Sequence, residues 1–245
     1  MSIKSFFKKI SEFLTKNVYN SDWKCLNCGD EVYDGKKFCD KCFEILPFND
    51  QYICEHCGRQ VKAAEKYCTT CKGNLTAIDR GRSYFVYDKP INTLIQRFKY
   101  GNHRYLADYF TDCLKFVYSK NYFNADFFVY IPMTEKAVRK RGYNQSMLLA
   151  EKLSIKTEVP VNHGLKKVKE TKRQATLKRS ERMKNLVDAV RVIDKKSVKD
   201  KTVVIIDDVT TTGATAQAVA ERLKQAGAKF VYLITVASTP PIEKY

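Results

Sequence analysis

VVIIDDVTTTGAT (Val203–Thr215) runs four branched apolar residues into two adjacent aspartates and then into a turn of Thr, Gly and Ala. Such a run is the signature of a strand buried on both faces. An amphipathic helix is predicted over Ala214–Ala226, ended by Gly227, and a second apolar strand over Phe230–Val236. Strand, turn, helix and strand in that order form a βαβ unit, so this part of the chain is α/β with a parallel sheet. Ligands of such sheets sit at the carboxyl ends of strands, where Asp207 and Asp208 fall. The segment from Val209 through Thr210, Thr211, Thr212, Gly213, Ala214 and Thr215 offers hydroxyls, backbone amides and a helix N-terminus to an anion. Adjacent carboxylates resist joint ionisation, but together they suit a vicinal diol, whose hydroxyls need acceptors. The pattern is therefore a sugar held beside its phosphate. It is neither a Walker A loop nor a GxGxxG turn.

Upstream, SYFVYD reads as a strand, followed by helices over about 91–100 and 105–118. DFFVYI, ending at Pro132, reads as another buried strand. A helix is expected over about 142–153 and a short strand near 158–161. Lys166–Lys184, polar and basic with weak periodicity, is expected to be a mobile loop running into a helix. Ala189–Ile193 is expected to be an edge strand, and Cys113 a core residue on a helical pattern.

Eight of the nine cysteines form four CxxC pairs: Cys25/Cys28, Cys39/Cys42, Cys54/Cys57 and Cys68/Cys71. A shift of 29 residues superimposes the first four on the second four, so CLNCG…FCDKC repeats as CEHCG…YCTTC. Two thiolates at this spacing chelate one zinc through a tight knuckle, and Gly29 and Gly58 permit the left-handed turn it needs. Phe38 and Tyr67, at matching positions, are expected to cover the metal. One zinc per repeat is the natural division, although an interleaved pairing would use the same spacings. With four thiolates filling each site these zincs are structural, because no position is left open for water. A ribbon this small buries too little apolar surface to fold without metal. His56 is expected to be an exposed spacer inside the second knuckle.

Formal net charge is +17. Ile131–Asn185 holds fifteen Lys/Arg against five Asp/Glu, whereas Cys25–Ile78 is nearly neutral. A surplus this local suggests polyanionic partners, phosphorylated metabolites or nucleic acid. Apolar residues from Ile3 to Val18 recur at helical spacing with lysines opposite, which predicts an amphipathic helix over 1–20. It could dock on the chain's own body, on a membrane surface or on a partner. No continuous apolar run resembles a signal peptide or a membrane span. Together with paired thiols, this favours a reducing, cytoplasmic setting, with a peripheral position at the inner face of the membrane as the other location. The expected domains are the helix over 1–20, a double zinc ribbon over 21–78 and an α/β domain over 79–245.

IIDDVTTTGAT resembles the phosphoribosyl pyrophosphate (PRPP) motif of type I phosphoribosyltransferases. IPMTEKAVRKRGYNQ (Ile131–Gln145), RQATLKRSERMKN (Arg173–Asn185), FKYG (Phe98–Gly101) and the cysteine-rich head further resemble the ComF/GntX competence-protein family. Tyr143 stands where many members have Phe. The resemblance implies a type I phosphoribosyltransferase fold preceded by a double zinc ribbon. It also implies that Asp207 and Asp208 meet ribose hydroxyls while the loop through Thr215 cradles the 5′-phosphate. Pyrophosphate, with Mg²⁺, would lie against the loop Pro132, Met133, Thr134 and Lys136, with Arg139, Arg141 and Lys99 as cationic candidates. Lys172, Gln174, Arg179 and Arg182 are candidates for a closing lid. Purine-salvage members often carry an acid four residues after the first acid of the motif. Here that place is Thr211, which cannot act as a base at neutral pH, and no catalytic residue is assigned. The implied role is PRPP binding in DNA uptake with handling of single-stranded DNA. Two other roles stay open: an active phosphoribosyltransferase with an unknown acceptor, and a zinc-ribbon adaptor docking a helicase or membrane DNA channel.

Overall fold

A computed structural model of the chain describes residues 23–63, 65–72, 76–121, 123–169 and 179–240. The predicted helix over 1–20 lies outside these. Two compact units divide the chain between Leu46 and Pro47, so the second four-cysteine repeat belongs to the same unit as the α/β domain. Among the described residues no helix is long and apolar enough to cross a membrane.

The first unit carries the first repeat and a one-turn helix α1 (Asp40–Glu44) opened by Cys39. Cys25 and Leu26 are hydrogen-bonded back onto the turn that follows, through Asp30 and Lys37. Phe38 is buried, as expected of a residue covering a metal, whereas its counterpart Tyr67 in the second repeat is 43% exposed. The repeat thus preserves the cysteine spacing but not the covering aromatic.

In the second unit, four parallel strands run in the order β1 (Arg80–Val86), β6 (Phe230–Ser238), β5 (Thr202–Thr210) and β2 (Phe127–Tyr130). Between β1 and β2 lie helices α2 (Ile91–Tyr100) and α3 (Leu106–Lys120). After β2 come α4 (Glu135–Arg141), α5 (Gln145–Thr157), β3 (Leu165–Lys167), α6 (Arg179–Asp188) and β4 (Val190–Val192). Helix α7 (Ala214–Gln225) joins β5 to β6. Strands β5 and β6 are apolar on both faces because both faces are covered. Val203, Ile205, Val231 and Leu233 pack with Val219 and Leu223 of α7 in one buried cluster. On β2, Phe128 meets Tyr118 of α3 edge-on at 5.3 Å.

Three local expectations change. The helix expected over 142–153 is α5, starting at Gln145 because Asn144 caps it by accepting from the Met147 amide. A separate helix α4, not expected from the sequence, precedes it and is ended by Gly142 in a left-handed conformation (φ 89°). Both are standard helix stop and start devices. The strand near 158–161 is reduced to one bridge, Phe128 with Val161, since the chain turns away after Asn162. The polar stretch from Lys166 instead begins inside β3, which pairs antiparallel with β4 as a two-stranded ribbon. There Leu165 and Val190 supply the buried side chains that the surrounding lysines hide from a sequence reading. The start of α6 fits the expected helix. β4 lies within the expected edge strand, and Cys113 is buried as expected.

The second knuckle lies directly on β1. Asn49, buried, donates to Gly58 O at 2.6 Å and to Ser83 Oγ at 2.7 Å, and Gly81 N donates to His56 O. Arg82 donates to Glu55 O at 2.9 Å. Gly58 (φ 72°) is required twice over, because a Cβ there would sit 2.4 Å from Gly81 O. Gly29 shares the left-handed conformation, but its Cβ would meet nothing within 4 Å. Gly29→Ala is expected to cost only the left-handed strain, about 1–2 kcal/mol. Gly58→Ala must also displace the backbone of β1, roughly 1–3 kcal/mol more. Thermal melts of the two zinc-loaded variants test this, and equal losses would show that the knuckle does not press on β1.

Candidate functional site

β5 continues as strand past the aspartates, pairing Asp207 with Thr235 and Thr210 with Ser238 of β6. This extension holds the acidic pair rigidly at the carboxyl end of the sheet, beside the end of β2, where Tyr130 pairs with Ile206. Asp208 is buried and Asp207 half-buried. Such carboxylates need partners, and three separate elements supply them. From α5, Ser146 donates its hydroxyl to Asp207 Oδ1 at 2.7 Å. From α2, the Lys99 ammonium lies 3.1 Å from Asp208 Oδ1. The Asp208 amide turns back onto Asp207 Oδ1 at 2.9 Å. Burial and the neighbouring Asp208 carboxylate push Asp207 up to about 7, against the opposing pull of Ser146 and Lys99.

Lys99 is fixed by its neighbours. Phe98 and Tyr143 meet edge-on at 5.7 Å, and Tyr143 donates its hydroxyl to Phe98 O. Gln145 donates to Lys99 O at 3.4 Å. Arg141 donates to Gln145 Oε1 at 2.8 Å and to the Tyr100 hydroxyl at 3.2 Å, with its guanidinium 4.9 Å from the Tyr100 ring. Arg104 stacks over Tyr143 at 4.5 Å and donates to Gly142 O. FKYG and RKRGYNQ, 38 residues or more apart in sequence, are thus two halves of one support around Asp208.

The remaining candidates divide. Pro132 is buried and Met133 half-buried at the end of β2, and Thr134 accepts from Ala137 N to cap α4. Lys136 and Arg139 are exposed on α4. Arg179 and Arg182 lie in α6, while Lys172 and Gln174 fall outside the described residues. Ser146, Gln145 and Tyr100 escape a sequence reading, because each lies inside a helix whose pattern signals only amphipathicity. The RGYNQS run, with its Asn cap, is the one local sign that this helix starts at a site.

Beyond the acids, Val209 and Thr210 are buried and Thr211 and Thr212 exposed. Gly213 opens α7 in a left-handed conformation (φ 77°), and Thr212 Oγ1 accepts from Ala214 N at 3.3 Å. Thr215 is exposed in the first turn of α7. The first amides of a helix have no acceptor within it, and its dipole favours an anion there. The loop therefore presents donors beside a pair of acceptors. Thr211 carries no acid and lies at the surface.

The cysteines form two sets, Cys25/Cys28/Cys39/Cys42 and Cys54/Cys57/Cys68/Cys71, whose four Sγ atoms lie within 4.8 Å of one another. All are free thiols. Sulfurs of Cys28 and Cys39 are 3.7 Å apart and those of Cys57 and Cys68 3.6 Å. Zn–S bonds of about 2.3 Å in a tetrahedron put sulfurs about 3.8 Å apart, so each set fits zinc, and each lies within one repeat. His56 belongs to neither set. It is half-buried and bonded to the Thr76 hydroxyl rather than exposed as expected.

A phosphoribosyl transferase domain model matches residues 137–243, and a double zinc ribbon domain model matches residues 18–72. Among solved structures, a purine phosphoribosyltransferase from Pyrococcus horikoshii Ot3 aligns with 56% of this chain and 89% of its own, at 20% identity and a TM-score of 0.32. No curated protein matches. The chain thus joins a double zinc ribbon to a phosphoribosyl transferase domain of mostly parallel sheet.

The titration of Asp207 gives a sign that can be checked. Its folded pKa lies above the ordinary carboxyl value of 3.8. Between about pH 4 and 7 the folded state thus keeps a proton that the unfolded chain has released, and stability falls as pH rises through that window. Asp207→Asn retains an oxygen for Ser146 and the Asp208 amide while removing the charge. In ligand-free melts it is expected to unfold about 2–4 °C above wild type near pH 8, the shift for roughly 1 kcal/mol in a chain this size. The gap should narrow towards pH 5, and a lower melting point at pH 8 would contradict the assignment.

Proposed function

We propose that this chain is a ComF/GntX-type competence protein that binds PRPP with Mg²⁺ and acts on single-stranded DNA during uptake in the cytoplasm. The observation that carries the reading is the convergence at the end of β5. Asp207 and Asp208, held by Ser146 and Lys99, abut the amide- and hydroxyl-rich turn that opens α7. That pairing of acceptors with anion donors fits a ribose diol next to its phosphate.

In this reading Asp207 and Asp208 accept from the ribose hydroxyls, and residues Thr210–Thr215 hold the 5′-phosphate. The turn after β2, Pro132–Lys136, faces the pyrophosphate. Lys99, already seated between the acids and the Arg141–Gln145 support, neutralises charge as the ligand arrives. Oxygen donors of the kind Asp207 and Asp208 provide suit Mg²⁺, which, when bound, would offset the negative charge of the pyrophosphate. The cation-rich segment Ile131–Asn185, with Lys136, Arg139 and Lys140 exposed on α4, is the surface offered to a nucleic-acid backbone.

Exposed Thr211 in place of an acid favours binding over purine transfer, so PRPP acts as a bound signal or end-group mimic rather than as a donor to a base. A transferase with another acceptor is the competing reading. Titration calorimetry with PRPP and Mg²⁺ tests the site. Asp207→Asn/Asp208→Asn is expected to weaken binding by about 10–100-fold, as loss of hydrogen bonds worth about 1.5–3 kcal/mol implies; unchanged affinity would overturn the assignment. Isotope transfer from PRPP to any acceptor, lost in the same double variant, would instead establish the transferase.

Single-strand affinity should fall steeply as salt rises, with a slope set by the number of phosphates neutralised. Absence of binding at low salt would remove the DNA-handling role. An adaptor docking a helicase or membrane channel would then be tested by co-purification with residues 1–74 deleted.

A further inference from the structure

Among the described residues, only three buried side-chain polar atoms lack a hydrogen-bond partner: Asn49 Oδ1, Arg59 Nε and Thr210 Oγ1. Two of them flank the same turn. Arg59 is 5% exposed, although it comes from the second cysteine knuckle and not from the α/β sheet. Its Nη2 lies 3.2 Å from the position a Cβ would take on Gly213, the residue that opens α7. Thr210 Cγ2 lies 3.8 Å from that same point. A buried guanidinium without a full set of acceptors is costly. Here it is aimed at a turn whose own amides and hydroxyl also want an anion.

The knuckle fixes where this cation stands. Arg59 O accepts from Cys54 N at 2.7 Å, and Ile53 and Gln60 form an antiparallel bridge across the turn. Gly58 is pressed against Gly81, and Asn49 ties Gly58 O to Ser83 of β1. An arginine raised on this platform has little freedom to reach elsewhere. Its planar fork matches the geometry of a phosphate oxygen pair.

We propose that Arg59 is a phosphate ligand: its guanidinium completes the cradle formed by Thr210–Thr215, so the second zinc repeat supplies part of the phosphoribosyl site. This rests on the phosphoribosyl reading of the turn. It makes the second repeat a component of ligand recognition and explains why a metal-knuckle residue and a strand-end threonine are both buried with unused polar atoms. Gly213 acquires a second reason as well, since any side chain there would wedge between the guanidinium and the loop.

The test uses the full, zinc-loaded chain and two probes, ribose 5-phosphate and magnesium pyrophosphate, followed by calorimetry. Arg59→Met, similar in length but uncharged, is expected to weaken ribose 5-phosphate binding about 10–100-fold while leaving pyrophosphate binding within twofold of wild type. Arg59→Lys, which keeps the charge but loses the fork, should fall between. Unchanged ribose 5-phosphate affinity in Arg59→Met would overturn the proposal while leaving the phosphoribosyl reading intact. Equal loss of both probes would overturn it too, by making Arg59 a support of the whole domain. If wild type itself binds pyrophosphate but no ribose 5-phosphate, the phosphoribosyl reading fails and the Arg59 assignment fails with it.

Discussion

Two carboxylates on consecutive residues at the end of a buried strand impose a demand that the surrounding structure meets. The pair cannot be placed there without compensation, because burial and the neighbouring carboxylate oppose ionisation of Asp207. The compensation comes from distant parts of the chain: the Lys99 ammonium from α2 and the Ser146 hydroxyl from α5. Holding those two groups in place requires Tyr143 on Phe98 O, Gln145 on Lys99 O and Arg141 on Gln145. Packing of α2 and α5 around the sheet's end thus supplies the two acids with their polar partners. The neighbouring turn places donors where the acids end, so the polarity of the site reverses within a few residues.

The second repeat fits the same logic. A small four-cysteine knuckle has almost no core of its own, and its rigidity comes from metal coordination and from the surface it rests on. Here that surface is the backbone of β1, approached so closely that glycine is required at Gly58, and Gly81 has no room for a side chain either. A metal-stiffened loop lying on a sheet edge is a good mount for a long side chain, and Arg59 is the one it directs inwards. The first repeat has the same cysteine spacing, but Leu26 and Phe38 are buried within its own unit and Gly29 meets nothing. The two ribbons thus share their cysteine spacing but not their surroundings.

Much of this was legible in the chain. VVIIDDVTTTGAT announces a buried strand, an acidic pair and a glycine turn into a helix, because each depends on local backbone geometry and side-chain chemistry. The CxxC pairs specify their metal by spacing, and the βαβ unit around α7 follows from periodicity. Elsewhere local pattern misled. A short helix, α4, precedes Gly142 where none was expected, and Leu165 and Val190 made a ribbon from a stretch that lysines dominate. The strand expected near 158–161 shrank to a single bridge because only one residue there finds a partner on β2.

What the sequence by itself determined is the chemistry available: two adjacent acids, a turn rich in hydroxyls and backbone amides, and eight thiolates in CxxC pairs. It could not say which thiolates share a metal, which of many lysines faces the acids, or that a knuckle arginine lies against a turn more than 150 residues away. Those facts are set by which side chains become buried together. Burial is what turns an ordinary surface cation such as Lys99 or Arg59 into a group that must find an anion, and only the folded chain decides which groups lose their water.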